Sequence, residues 1–188
     1  FLQAAAETNI RIANCTTAAQ YFHLLRRQAA LLETDPLPLV VLTPKSLLRH
    51  PLTASPLAAL AQGHWQPVID DAQAKPQAIR RVLLCSGKVA VDLLTSKQRP
   101  AHPEVAIVRV EQLYPFPLAD LGPLLEGYPA LHEAVWLQEE PENMGAWTYA
   151  RPRLQELLGT RWPLRYLGRP RASSPAEGST NWHVVNQN

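Results

Sequence analysis

The sequence predicts an α/β fold: a three-layer sandwich around a mostly parallel sheet, preceded by the last units of an earlier α/β segment. Three observations predict it. Short apolar runs bounded by turn residues alternate with segments of helical period along the chain. Several of the runs, Val82-Leu83-Leu84-Cys85 and Val105-Ala106-Ile107-Val108 among them, are continuously apolar, as in strands buried on both faces. The stretch Ala134 to Trp147 reads as strand, loop and helix start, the half-unit of a parallel sheet.

Taken in order, Phe1 to Glu7 is Ala-rich and predicts helix, with Thr8-Asn9 as a turn. Ile10 to Ala13 alternates and predicts a strand. Thr16 and Thr17 are caps for the next helix, Gln20 lying at capping-box spacing from Thr17. That helix runs from Ala18 to Leu32 and ends before Asp35-Pro36. Leu37 to Leu42 predicts a strand buried on both faces. Residues 1–45 thus read as the end of one α/β unit. Residues 46–79 read as a linker, Pro- and Ala-rich, with a short helix near Pro56 to Ala61. Gly63 to Ile69 predicts an edge strand, because Pro67 cannot serve a central one. Residues 80–188 form the second block. Its strands are Arg81–Cys85, Val105–Val110, Ala134–Gln138 and Leu164–Arg169. Its helices are Val89–Gln98, Asp120–Tyr128 and Trp147–Leu158, the last interrupted at Pro152 and stopped at Gly159. Arg171 to Ser179 predicts a loop, and Asn181 to Asn188 a short helix.

Composition limits the functional classes. Lys+Arg 18 against Asp+Glu 16 leaves a net charge of +2, too balanced for a nucleic-acid or membrane-surface partner. No apolar run approaches the roughly 20 residues of a spanning helix. Cys15 and Cys85 sit in apolar contexts and predict buried, inert thiols of a reducing compartment. The chain begins Phe1-Leu2-Gln3, and its single Met is Met144, which reads as the end of a longer polypeptide.

The stretch around which the second block is organised turns acidic at Glu139, Glu140 and Glu142, between Pro141 and Gly145. It belongs at the carboxyl end of a strand, where ligands and partners of open α/β sheets gather. A solvated acidic loop is the plain alternative. Glu139 and Glu140 do not suit a proton-sharing pair, since adjacent residues on an extended chain point apart. Arg26, Arg27, Arg49, Arg80 and Arg81 supply cations, and pairing with the acidic loop is the economical expectation. Thr43 to Pro51 reads as a basic linker or an anion-contacting crossover. Ser86-Gly87-Lys88 follows a strand but lacks the Gly-rich lead-in of a phosphate loop. His23 reads as a hydrogen-bonded core histidine, and the histidines show no metal spacing. No Ser lies in a nucleophile elbow. The five Trp mark core and interface, and Tyr114-Pro115-Phe116-Pro117 is a candidate contact surface.

Five motifs then carry a resemblance. Tyr21 to Gln28 (YFHLLRRQ), Thr43 to Pro51 (TPKSLLRHP), Arg81 to Lys88 (RVLLCSGK), Val105 to Pro115 (VAIVRVEQLYP) and Gln138 to Trp147 (QEEPENMGAW) occur in this order. Together they are similar to the C-terminal end of the thiamine-diphosphate-dependent decarboxylating components of 2-oxoglutarate dehydrogenase complexes. The resemblance implies that residues 1–45 end a pyrimidine-binding domain and that 80–188 form a transketolase C-terminal-like domain. It implies a parent of the tricarboxylic acid cycle that decarboxylates 2-oxoglutarate with thiamine diphosphate and Mg²⁺ and passes the succinyl group to a lipoyl arm. Expected partners are the remainder of the parent chain, a second copy in a homodimer and the lipoyl-bearing succinyltransferase, in bacterial cytoplasm or the mitochondrial matrix. The family's Gly-Asp-Gly metal signature is not in this sequence, so the piece is expected to hold no catalytic, cofactor or metal residue and to be inert alone. Some members bind acetyl-coenzyme A or AMP between the two domains. Arg27 and Gln112 match positions used there, and His64 stands where a Lys would be. Pro67 replaces a Ser, and Leu118 to Asp120 lack the paired Arg.

Overall fold

The computed structural model describes residues 1–176, 178, 179 and 181. Its strands are β1 (Arg11–Ala13), β2 (Leu39–Val41), β3 (Val68–Ile69), β4 (Arg81–Cys85), β5 (Val105–Val110), β6 (Gln112–Tyr114), β7 (Glu133–Leu137) and β8 (Leu164–Leu167). Its α-helices are α1 (Ala18–Ala30), α2 (Leu57–Gln62), α3 (Lys88–Thr95), α4 (Leu118–Glu126) and α5 (Trp147–Leu158).

The strands form two mixed sheets. The larger has the order β3-β5-β4-β7-β8. Its four long strands are parallel, with Leu83 opposite both Ile107 and Val135. Only β3 runs antiparallel, on the edge, as Pro67 beside it requires. Alternation along the strands sorts their side chains. Val82, Leu84, Ala106, Val108, Ala134 and Trp136 face one way and pack with Leu121 and Leu125 of α4 and Ala150, Leu154 and Leu158 of α5. Leu83, Cys85, Ile107 and Leu137 face the other way, against Ala90, Leu93 and Leu94 of α3. Helices therefore cover both faces, as the continuous apolar strands required.

The smaller sheet has the order β2-β1-β6. β1 and β2 are parallel, while β6 runs antiparallel to β1. The sequence reading has no β6; it takes Gln112 to Tyr114 as the run-out of β5. A single residue, Glu111, separates β5 in the large sheet from β6 in the small one. The second block thus contributes a strand to the sheet begun by the first.

Several local expectations are corrected. Phe1 to Glu7 makes only a 3₁₀ turn at Leu2–Ala4. Asn9 competes for its backbone, accepting from the Ala6 amide and donating to the Ala4 carbonyl, and a segment this short does not offset helix nucleation. β2 is not buried on both faces: its residues are half-exposed, because it lies at the edge of a three-stranded sheet. α5 passes through Pro152 without a break to Gly159, whose φ of 54° ends it. Tyr114 and Phe116 are not a contact surface; they pack among Tyr149 and Trp136. Thr17 caps α1, its hydroxyl accepting from the Gln20 amide at 3.2 Å. The Gln20 side chain does not close the capping box but bonds both backbone groups of Gln66. The expected terminal helix and Trp182 lie outside the described residues, Asn181 apart.

Candidate functional site

The acidic loop stands at the carboxyl end of β7, between β7 and α5, and its shape comes from Gln138. This side chain is buried. Its oxygen accepts from the Trp136 indole and the Trp147 amide, both at 3.0 Å. Its nitrogen donates to the carbonyls of Met144 (2.8 Å) and Pro141 (3.1 Å). One amide thus ties strand, loop and helix start together, which requires a side chain with both donor and acceptor. Gly145 completes the turn with a φ of 64°, and a Cβ there would stand 2.9 Å from the Gln138 amide nitrogen. Asn143 pins the loop from outside, exchanging two hydrogen bonds of 2.9 Å with the backbone of Ala172.

Beside this loop lies a cavity of about 510 Å³. Ile12, Leu113 and Trp136 form its apolar wall, and Asn14, Ser86, Glu140 and Arg153 its polar one. The side-chain oxygens of Asn14 and Ser86 are buried there without a hydrogen-bond partner. The cleft thus joins the carboxyl ends of β1, β4 and β7 across the two sheets, the place the topology rule selects.

Among the described residues, none of Arg26, Arg27, Arg49, Arg80 and Arg81 forms an ion pair with the acidic loop. Arg81 pairs with Glu133, on the strand next to its own. Arg26 donates to the Gly63 carbonyl. A cation that does reach the loop is Lys88, 3.5 Å from Glu139 and bonded also to Asp92 one helical turn on. Glu140 meanwhile lines the cavity. His23 is a buried core histidine bonded to the Ala59 carbonyl at 2.8 Å. Cys85 is fully buried and Cys15 half-buried; both are free, and burial pushes both thiols up to about 12.

Arg27 and Gln112 meet. The guanidinium donates to the Gln112 side-chain oxygen at 2.9 Å and lies over the Trp65 ring. The Trp65 indole donates to the same oxygen at 3.3 Å. His64 is exposed beside Trp65. The sequence reading missed the group behind them. Glu111 is fully buried, its carboxylate accepting from the Thr16 amide at 2.9 Å and from the Thr16 hydroxyl. An acidic residue after six strand residues was the available signal, but only the pairing of β6 with β1 buries it.

The family described as 2-oxoglutarate dehydrogenase C-terminal matches residues 54–188. A protein of Shouchella clausii (strain KSM-K16) named 2-oxoglutarate dehydrogenase E1 component is 48% identical over 192 residues. The proteins of that name from Bacillus mycoides (strain KBAB4) and Bacillus cereus (strain AH820) are 48% and 47% identical over 194 residues. Each match covers 100% of this chain and 20% of the relative.

Proposed function

The chain belongs to the 2-oxoglutarate dehydrogenase C-terminal family, and from that premise we propose that it braces an enzyme which decarboxylates 2-oxoglutarate with thiamine diphosphate and Mg²⁺. The observation that carries the proposal is the identity of 48% along the whole chain with a protein named as an E1 component. In this reading residues 1–45 end a pyrimidine-binding domain, 46–79 link, and 80–188 form the transketolase-like C-terminal domain. The parent hands the succinyl group to a lipoyl arm, works as a homodimer beside the succinyltransferase, and acts in the bacterial cytoplasm, in keeping with the organisms of its relatives.

The chain's own surface supports a bracing role. Its exposed large apolar side chains fall mostly in the first 57 residues: Tyr21, Phe22 and Leu25 on α1, then Leu42, Leu48, Leu52 and Leu57. Tyr21, Leu42 and Leu48 share one cleft of about 280 Å³. A short parallel pair on an open sheet edge with apolar side chains facing water calls for further polypeptide to cover it. Thiamine diphosphate would bring the carbanion chemistry. Among the described residues no group of three or more His, Cys, Asp or Glu stands where it could hold a metal ion. No helix among them is long and apolar enough to cross a membrane.

The test is 2-oxoglutarate-dependent reduction of an artificial electron acceptor by the full-length polypeptide. Turnover that needs both thiamine diphosphate and Mg²⁺ supports the reading. No turnover, or equal turnover by the 188-residue chain alone, refutes it.

The regulatory alternative gains nothing from the comparisons. Arg27, Gln112 and His64 stay a proposal for an anionic effector, supported only by the contact of the first two and by a buried, partnerless Nε on Arg27.

A further inference from the structure

Glu111 is the one residue between β5 and β6, so the chain passes through it from one sheet to the other. Its polar groups hold two other segments, the lead-in to β3 and the turn between β1 and α1. Its amide donates to the Pro67 carbonyl at 2.9 Å, and its carbonyl accepts from the Asn14 amide at 2.8 Å. Its carboxylate takes both the amide and the hydroxyl of Thr16, the residue before the α1 cap Thr17. Arg109 does not touch the carboxylate; it donates to the Thr16 hydroxyl oxygen at 2.9 Å. The side chain has no exposure to water.

We propose that Glu111 is a proton-operated latch between the two sheets, closed with its proton on and released as the proton leaves. The inference is independent of the activity proposed above. The carboxylate is faced by Arg109 from β5, Cys15 from the segment after β1, Cys85 from β4 and Gln20 from α1. Both thiols are neutral, because burial pushes them to about 12, so Arg109 is the charged neighbour. Burial dominates and raises the Glu111 carboxyl from 4.5 to about 7, against the opposing pull of Thr16, Arg109 and Gln20. When the junction opens, water reaches the group and restores its ordinary acidity. The closed junction therefore binds the proton more tightly than the open one, and proton uptake closes it. With the proton on, the acid O–H donates to the Thr16 hydroxyl oxygen while the other carboxyl oxygen keeps the Thr16 amide. Only that O–H bond is made or broken, and the proton comes from and returns to solvent.

The test is hydrogen exchange of the full-length protein, read by mass spectrometry on peptides spanning 13–17 and 110–114 and corrected for intrinsic rates. The opening equilibrium should rise about tenfold per pH unit between roughly pH 5 and 6.5 and level off above pH 7.5. Glu111→Gln, whose amide imitates the protonated acid, should stay protected with no pH dependence. A flat wild-type profile, or the same slope in Glu111→Gln, overturns the latch. If the variant does not fold, carbon-13 titration of the wild-type carboxyl decides: a midpoint near 7 supports the latch, and one near 4.5 refutes it.

Discussion

The side-chain oxygen of Gln138 accepts the Trp147 amide at 3.0 Å, nine residues further along the chain. Through that bond the last residue before the acidic loop sets the first turn of α5. Replacing Gln138 by Leu strands the Trp136 indole, the Trp147 amide and two loop carbonyls in a dry site. The expected loss is on the order of 3 kcal/mol, roughly 6–12 °C in Tm. Gln138→Glu should be no better, since a carboxylate oxygen would face the Pro141 and Met144 carbonyls. Thermal melts of the two variants check this.

Gly145→Ala adds a Cβ 2.9 Å from the Gln138 nitrogen at a φ of 64°. It should cost about 1–3 kcal/mol, from the left-handed backbone and the displaced amide. A melt unchanged within error would mean the loop is not held as described.

Arg99 grips both oxygens of Asp71 at 2.6 Å, and the Ile107 amide donates to the same carboxylate at 2.9 Å. Burial would raise the Asp71 carboxyl, but these donors outweigh it and hold it below its usual 3.8. The stability this provides is present above pH 3.8 and is lost as pH falls through the lower folded value. Asp71→Asn leaves the half-buried Arg99 without its carboxylate and should cost roughly 2–3 kcal/mol near pH 7. Its melts should also lose part of the wild-type drop below pH 4.

Cys15 and Cys85, both pushed up to about 12, hold almost no thiolate at pH 8. Iodoacetamide at that pH should label neither in the folded protein and both in denaturant. Rapid labelling of native Cys85 would contradict its burial.

For the anionic-effector proposal, calorimetry with millimolar AMP or acetyl-coenzyme A is the check. An effector would have to draw Arg27 away from Gln112 and Trp65, so binding should be weak and should vanish in Arg27→Ala. No heat at millimolar ligand removes the proposal.

The parallel core was legible because strands such as Val105–Val110 are apolar on both faces and bounded by turn residues. The edge strand at Val68–Ile69 followed from Pro67 alone. Gln112 to Tyr114 was not legible as a strand. Its three residues carry no period, and its partner β1 is about a hundred residues earlier. The burial of Glu111 was hidden for the same reason. The role of Gln138 was hidden differently: nothing local distinguishes a glutamine that staples a loop from one in solvent. The Arg pairings failed because charge counting cannot tell that Lys88, the first residue of α3, reaches the loop.

We propose that this chain frames a thiamine-diphosphate site without supplying its metal ligands. Titration of thiamine diphosphate with Mg²⁺ into the full-length polypeptide and into the 188-residue chain tests that most directly. Binding by the full-length polypeptide alone is the predicted result. Saturable, Mg²⁺-dependent binding of equal affinity by the 188-residue chain would contradict it.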